Sequence, residues 1–268
     1  MDIAEHLKKI FDVYAKNWLS LIVGLIAAFI IPVILAAVAG GALALGIAGS
    51  VDFNTLMTMK SLSDISTLLG AVNWGTLGIY MILALIFLIA AGITGVAFFT
   101  GYYRYCGDLY QGRKTSISAV FQIAKEKWLT ALVATIIVAI IIGIINIIVG
   151  ALGLSSVGML STINMTDVSA LATLSALGIV SWFIGFIVGL FFIFVLPSIA
   201  VEDRGIVDSI QRSVNVTASK FVKVFLTFFV LQILLLILTL IPIIGSLLVL
   251  LVYFPLSVLL PISILKEK

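Results

Sequence analysis

Six uninterrupted apolar stretches govern what this chain can fold into. They occupy roughly residues 18–45, 77–103, 128–150, 177–200, 221–241 and 246–265. About 20 apolar residues in a helix cross the hydrocarbon core of a bilayer, so each stretch predicts a membrane-spanning helix. A membrane β-barrel would alternate apolar and polar residues; these runs are continuous, which excludes it. Only 10% of the residues are charged and 63% are hydrophobic, whereas soluble domains carry roughly 25% charge. The expected fold class is all-α integral membrane, a single domain over residues 1–268.

Charge sets the expected orientation. Of fifteen Lys and Arg residues, fourteen lie before the first stretch, between the second and third, around the start of the fifth or after the sixth. Lys60 is the exception, and it shares its side with Asp52, Asp64 and Asp167. Positive residues are retained on the cytoplasmic side, so both termini are expected there, in a cell membrane. The basic side is suited to anionic lipid headgroups rather than to nucleic acid. Met1 to Lys16 mixes acidic and basic residues and offers no clear small-residue cleavage site, so no cleavable signal is expected.

A pattern written three times refines the architecture. Residues 10–23 read IFDVYAKNWLSLIV, residues 120–133 read VFQIAKEKWLTALV and residues 213–226 read SVNVTASKFVKVFL. Each joins a basic amphipathic segment to an apolar span through an aromatic residue: Trp18, Trp128 or Phe221. Backwards from these joints, the positions Tyr14/Ala124/Thr217, Phe11/Phe121/Val214, Ile10/Val120/Ser213 and Leu7/Ile117/Ile210 recur at the spacing of one helix face. The reading is six transmembrane helices in three parallel repeats with pseudo-threefold symmetry. Each repeat has one interfacial amphipathic helix and two spans: repeat 1 over residues 1–105, repeat 2 over 113–203 and repeat 3 over 204–268. Short outer helices are expected within 56–69 and 165–174, and a tight turn at 241–246.

Beyond Lys223 at the start of the fifth stretch, no span contains Asp, Glu, Lys, Arg or His. Proton-coupled pumps and acid–base enzymes need such groups, so both classes are disfavoured. Neutral polar residues do occur in the spans. Asn146 and Gln232 are expected to hydrogen-bond between helices, with a pore or ligand role as the sharper reading. The Gly185/Gly189 pair is expected to pack closely within the monomer. One cysteine, Cys106, and one histidine, His6, cannot assemble a metal site, and no cofactor is expected. Asn164 and Asn215 stand in glycosylation sequons, of which only Asn164 is on the outer side.

Two connectors look alike. Arg104 and Asp108 are four apart, as are Arg204 and Asp208, a spacing that allows an ion pair on one helix face. The candidate headgroup contacts are Lys8, Lys9, Lys16, Arg104, Arg113, Lys114, Lys125, Lys127, Arg204, Arg212, Lys220 and Lys223. The segments Gly101-Tyr-Tyr-Arg104, Gly112-Arg-Lys-Thr-Ser116 and Pro197-Ser-Ile-Ala-Val-Glu202-Asp203-Arg-Gly205 carry a resemblance. The chain resembles an uncharacterised prokaryotic polytopic family related to the membrane domain of glycerophosphodiester phosphodiesterases. That resemblance implies a six-span membrane protein and no phosphodiesterase activity, since the metal ligands of such enzymes are missing. A three-repeat layout is also found in mitochondrial carriers, but their Pro-x-Asp/Glu-x-x-Lys/Arg motif does not occur in these spans.

The function expected is non-enzymatic: binding or organising membrane lipid, anionic for preference, or a partner protein. The alternative is a passive pore or small-solute facilitator along the pseudo-threefold axis.

Overall fold

The computed structural model describes residues 3–50, 72–157, 183–242 and 244–267, with residues 3 and 149–157 described by their backbone alone. The expected outer helices at 56–69 and 165–174 lie outside the described residues, as do Asn164, Lys60, Asp52, Asp64 and Asp167. Every regular element among the described residues is helical: α1 (Ile3–Ser50), α2 (Trp74–Tyr110), α3 (Ile117–Val157), α4 (183–192), α5 (Val195–Val201), α6 (Ile206–Ser219), α7 (Phe221–Thr239), α8 (Ile244–Leu248), a π-helical turn (Val249–Tyr253) and α9 (Phe254–Lys266). Six helical segments, taking 183–201 and 244–266 as single spans, are long and apolar enough to cross a membrane.

Prolines explain the two broken spans. Proline has no N–H and its ring crowds the carbonyl four residues before it. Pro197 stands just beyond a two-residue turn at 193–194 that separates α4 from α5. The groups freed there are met by α6: Ser213 donates to the Phe191 carbonyl at 2.7 Å and accepts from the Phe194 N–H, and Thr217 donates to the Leu190 carbonyl at 2.9 Å. Pro255 likewise follows the π-helical turn. The Leu251 carbonyl, four residues earlier, accepts from the Tyr14 hydroxyl at 3.1 Å. Buried backbone groups need partners, and in both places a pre-joint side chain supplies one.

The joints are not uniform. At Asn17 the backbone leaves helical geometry (φ −122°, ψ 16°), and the Asn17 side chain donates to the Val13 carbonyl. At Lys220, the position before Phe221, the dihedrals are nearly the same (φ −124°, ψ 30°). The second joint departs from the expected turn. α3 runs through Lys127 and Trp128 as one helix from Ile117. Its first turns already lie on a spanning helix, because Gly101 of α2 sits directly against the Val120 backbone.

Positions aligned on the three joints share their burial. Leu21, Ala131 and Val224 are all fully buried, and Ile10, Val120 and Ser213 are buried as well. Leu19, Leu129 and Val222 all face outward, at 60%, 56% and 67% exposure. An outward apolar face fits a helix whose solvent is lipid.

The core gathers at one end of the bundle. Tyr102, Phe194, Leu21, Leu256 and Leu259 are buried together. On α2 the buried residues beyond Ala84 run from Ala97 to Gly107, and on α9 nearly every residue from Pro255 to Leu265 is buried. The Tyr102 and Tyr105 hydroxyls donate to the Leu21 and Ser20 carbonyls of α1. At the tight turn the expectation holds: the Gly245 N–H donates to the Ile241 carbonyl at 3.0 Å, and a Cβ on Gly245 would meet the Leu238 carbonyl. Among the described residues, the expected close packing at Gly185 and Gly189 is not found. A Cβ at Gly189 would meet nothing within 4 Å, and one at Gly185 only the Asn146 side chain at 3.9 Å. Close approach between helices falls instead to Gly24, Gly101 and Gly107 in the packed end, and to Gly46 of α1 against Tyr80 of α2.

Candidate functional site

The twelve candidate cations divide into two groups. Seven have acidic partners. Arg104 and Arg113 share Asp108, at 3.5 and 3.7 Å. Lys127 pairs with Asp203. Arg204 and Arg212 share Glu202, at 2.6 and 3.2 Å, and Lys220 and Lys223 share Glu267. The expected Arg204–Asp208 pair does not form. Arg204 precedes the first turn of α6, so the two residues are not on one helix face, and its guanidinium turns to Glu202.

These pairs tie the packed end together. Glu202 follows α5 and receives Arg212 from α6. Burial alone would raise its pKa, but the bonds and charges of Arg212 and Arg204 outweigh that and hold it below the usual carboxylate value. Glu267 follows α9 and joins Lys220 and Lys223 at the start of α7. Beside it the buried His6 Nε2 and Ser263 Oγ lie 2.8 Å apart, so the start of α1 meets the end of α9. Glu267→Ala strands Lys223, whose side chain is 17% exposed. The expected loss is about 1 kcal/mol after allowing for solvent screening, read as a lower unfolding midpoint of detergent-solubilised protein. An unchanged midpoint would show that the clasp contributes nothing to stability.

Lys8, Lys9, Lys16, Lys114 and Lys125 form no ion pair among the described residues. Three of them converge. Lys9 and Lys16 on α1, and Arg113 and Lys114 beyond α2, line one open hollow of about 380 Å³. Asp12 is the single acid in its lining, against four cations. Local structure aims these side chains. The break at Asn17 ends the pre-joint helix where Lys16 faces the hollow, and Asn17 itself lines it. Gly112, at φ +70°, makes the left-handed turn that closes α2 and carries Arg113 and Lys114 back toward α1. The Lys9 ammonium lies 4.9 Å from the centre of the Tyr110 ring, a cation–π contact that steadies one wall. An excess of fixed positive charge in a concave site at the end of the spans is chemically suited to a phosphate or carboxylate. Lys8 and Lys125 lie outside this hollow.

The two intramembrane polar candidates part company. Gln232 of α7 donates to the Tyr253 hydroxyl at 3.2 Å, the interhelical bond expected of it. Asn146 is exposed and makes no such bond among the described residues; its amide oxygen lies 3.9 Å from where a Cβ on Gly185 of α4 would stand. Sequence reasoning missed Tyr14, Ser213, Thr217 and Glu202 as the groups that hold the broken spans and connectors. Pro197 and Pro255 were the legible signals, since each announces backbone groups in need of partners. Among the described residues no cluster of His, Cys, Asp and Glu could hold a metal.

The fold defines a multi-pass helical membrane protein whose helices pack tightly at a basic end. The chain belongs to the family described as a domain of unknown function, DUF7847, whose model matches residues 60–265. No curated protein and no solved structure matches the chain.

Proposed function

We propose that the protein is a non-enzymatic cell-membrane protein that holds anionic phospholipid headgroups at its cytoplasmic face. In this reading both termini are cytoplasmic, and the first and third joint segments, which break at Asn17 and Lys220, are copies of one interfacial unit. The observation that carries the reading is the hollow where Lys9, Lys16 and Lys114 converge beside Arg113, which Asp108 already pairs, with Asp12 the single acid in the lining. Cations near an anionic membrane surface contribute about 1 kcal/mol each, and the three lysines without an ion pair discriminate headgroup charge without any catalytic group. The resemblance of the connectors to the membrane domain of glycerophosphodiester phosphodiesterases fits a protein that works on lipid surfaces, without their hydrolysis. The passive-pore reading gains no support from the interior of the basic end, which Tyr102, Phe194 and Leu259 occupy as fully buried side chains.

The test is lipid retention by native mass spectrometry of the full chain released from vesicles of mixed phosphatidylglycerol and phosphatidylcholine. The wild type is expected to retain phosphatidylglycerol preferentially. Replacing Lys16 and Lys114 together by glutamine is expected to lower that preference about tenfold, at roughly 1 kcal/mol per lysine less screening. Equal retention of the two lipids by the wild type, or an unchanged preference in the variant, removes the proposal.

A further inference from the structure

The basic hollow is built from two walls that are held in different ways. Lys9, Asp12 and Lys16 belong to the pre-joint segment of α1, and Arg113 and Lys114 follow α2. The hollow exists only while the pre-joint segment stays docked. A separate stripe of that segment docks it: His6, Ile10 and Tyr14, each four residues after the last, share one helix face. His6 is fully buried and meets Ser263 of α9. Ile10 is buried beside it in sequence, and the Tyr14 hydroxyl donates to the Leu251 carbonyl. Beyond the stripe, the backbone leaves helical geometry at Asn17.

His6 makes this docking sensitive to protons. The Ser263 hydroxyl has one hydrogen and gives it to the Leu260 carbonyl at 2.6 Å, so its oxygen accepts from the His6 Nε2–H. Nδ1 is left as a bare lone pair, buried and with no hydrogen-bond partner among the described residues. A proton arriving there finds no acceptor. The charges around the ring do not welcome it either. Lys223 and Lys220 face it from the start of α7 and Lys9 from its own segment, while Glu267, beyond α9, is already shared by the two α7 lysines. Burial first, and then Lys223, lowers the His6 pKa from 6.5 to about 4. In a raised segment the ring returns to water and to its ordinary value. Docking is therefore favoured above pH 6.5 and weakens as pH falls below it, about 30-fold by about pH 5.

We propose that His6 is a pH-sensitive latch on the basic hollow: protonation at Nδ1 releases the pre-joint segment from α9, the segment pivots at Asn17, and Lys9 and Lys16 part from Lys114. The regulation rests on the headgroup reading above; the latch itself does not. Its sign is distinctive. One more positive charge on a rigid surface would strengthen the hold on an anionic lipid, whereas here acid weakens it.

The full chain is spin-labelled at two exposed positions, through Glu5→Cys on the pre-joint segment and Gln111→Cys at the end of α2. Cys106 is buried and stays unlabelled. The distance between the labels is measured in phosphatidylcholine nanodiscs at about pH 7.5 and about pH 5, either side of the ordinary histidine value. One distance is expected at the higher pH, and a second, longer population at the lower. His6→Gln keeps a donor for Ser263 and has no proton to gain, so it is expected to hold the single distance at both. A wild type without the second population in acid overturns the latch, as does an equal second population in His6→Gln. Native mass spectrometry of the unlabelled chain then reads retention of phosphatidylglycerol over phosphatidylcholine at the same two pH values. The preference is expected to fall in acid for the wild type and to persist in His6→Gln. A wild-type preference that survives acid while the segment lifts overturns the regulation. A wild type with no preference at the higher pH removes the headgroup reading and its regulation together, and the label distances still decide the latch.

Discussion

Gly101→Ala lowers the unfolding midpoint of the solubilised protein by roughly 10 °C, the largest effect expected of one methyl group at the described helix crossings. A Cβ at Gly101 would stand 2.1 Å from the Val120 carbonyl oxygen and 2.9 Å from its carbon. Both are backbone atoms, so no side chain can rotate away and α2 and α3 must separate. Overpacking of a tight core costs about 1–3 kcal/mol, and this contact belongs at the upper end of that range. Gly78 and Gly92 lie on the same helix, and among the described residues nothing stands within 4 Å of their added Cβ. Their alanine variants are expected to unfold at or slightly above the wild-type midpoint, because alanine is the better helix former. Cys106 is the only cysteine and is buried, so a thiol-reactive dye reports the opening of the packed end directly. A wild-type midpoint for Gly101→Ala would falsify the direct backbone contact between α2 and α3.

Glu202→Ala is the second large effect, at about 2 kcal/mol. Removing one member of an ion-paired cluster leaves uncompensated charge, which costs several kcal/mol when fully buried. Here the partners Arg204 and Arg212 are 40% and 35% exposed, so water recovers part of the loss. The same cluster makes stability depend on acid. The pKa of Glu202 is held below its ordinary value of 4.5 despite burial, by the hydrogen bonds and charges of Arg212 and Arg204. A carboxylate with a lower pKa in the folded state stabilises the fold above its unfolded pKa. It loses that contribution as pH falls through the folded value. Asp203, through Lys127, and Glu267, through Lys223 and Lys220 against its burial, are shifted the same way. His6 adds an earlier fall. Burial, with Lys223, lowers its pKa from 6.5 to about 4, so the unfolded chain takes up that proton first. The unfolding midpoint is therefore expected to decline from about pH 6.5 and to fall further below the ordinary carboxylate range. Glu202→Gln is expected to show a shallower fall. An identical acid profile in that variant would assign the acid response to other carboxylates.

The connectors show where sequence spacing misleads. Arg104 and Asp108 are four apart on the continuous helix α2 and do pair. Arg204 and Asp208 have the same spacing, but Gly205 begins α6 between them, and the pair is replaced by Arg204 with Glu202. Spacing predicts a contact only where the helix that gives it meaning is unbroken. The Gly185/Gly189 motif fails for a related reason. A small-residue motif permits close approach without requiring it, and no helix among the described residues packs tightly on it.

The candidate cations were all legible from charge alone, since positive residues concentrate at one end of the apolar stretches. Which of them are available to a ligand was not. Seven are neutralised by Asp108, Glu202, Asp203 and Glu267, acids that in the sequence look no different from Asp12.

Hydrophobicity and length decide that a helix crosses a bilayer, and both are properties of a local stretch. Residues read in order therefore determine the six spans and the buried face that recurs at Leu21, Ala131 and Val224. Pairing is not local. Lys9 and Lys16 meet Arg113 and Lys114 only because α1 packs along α2. Such contacts depend on distances between helices far apart in the chain, which no period or composition encodes, and they came from the tertiary structure alone.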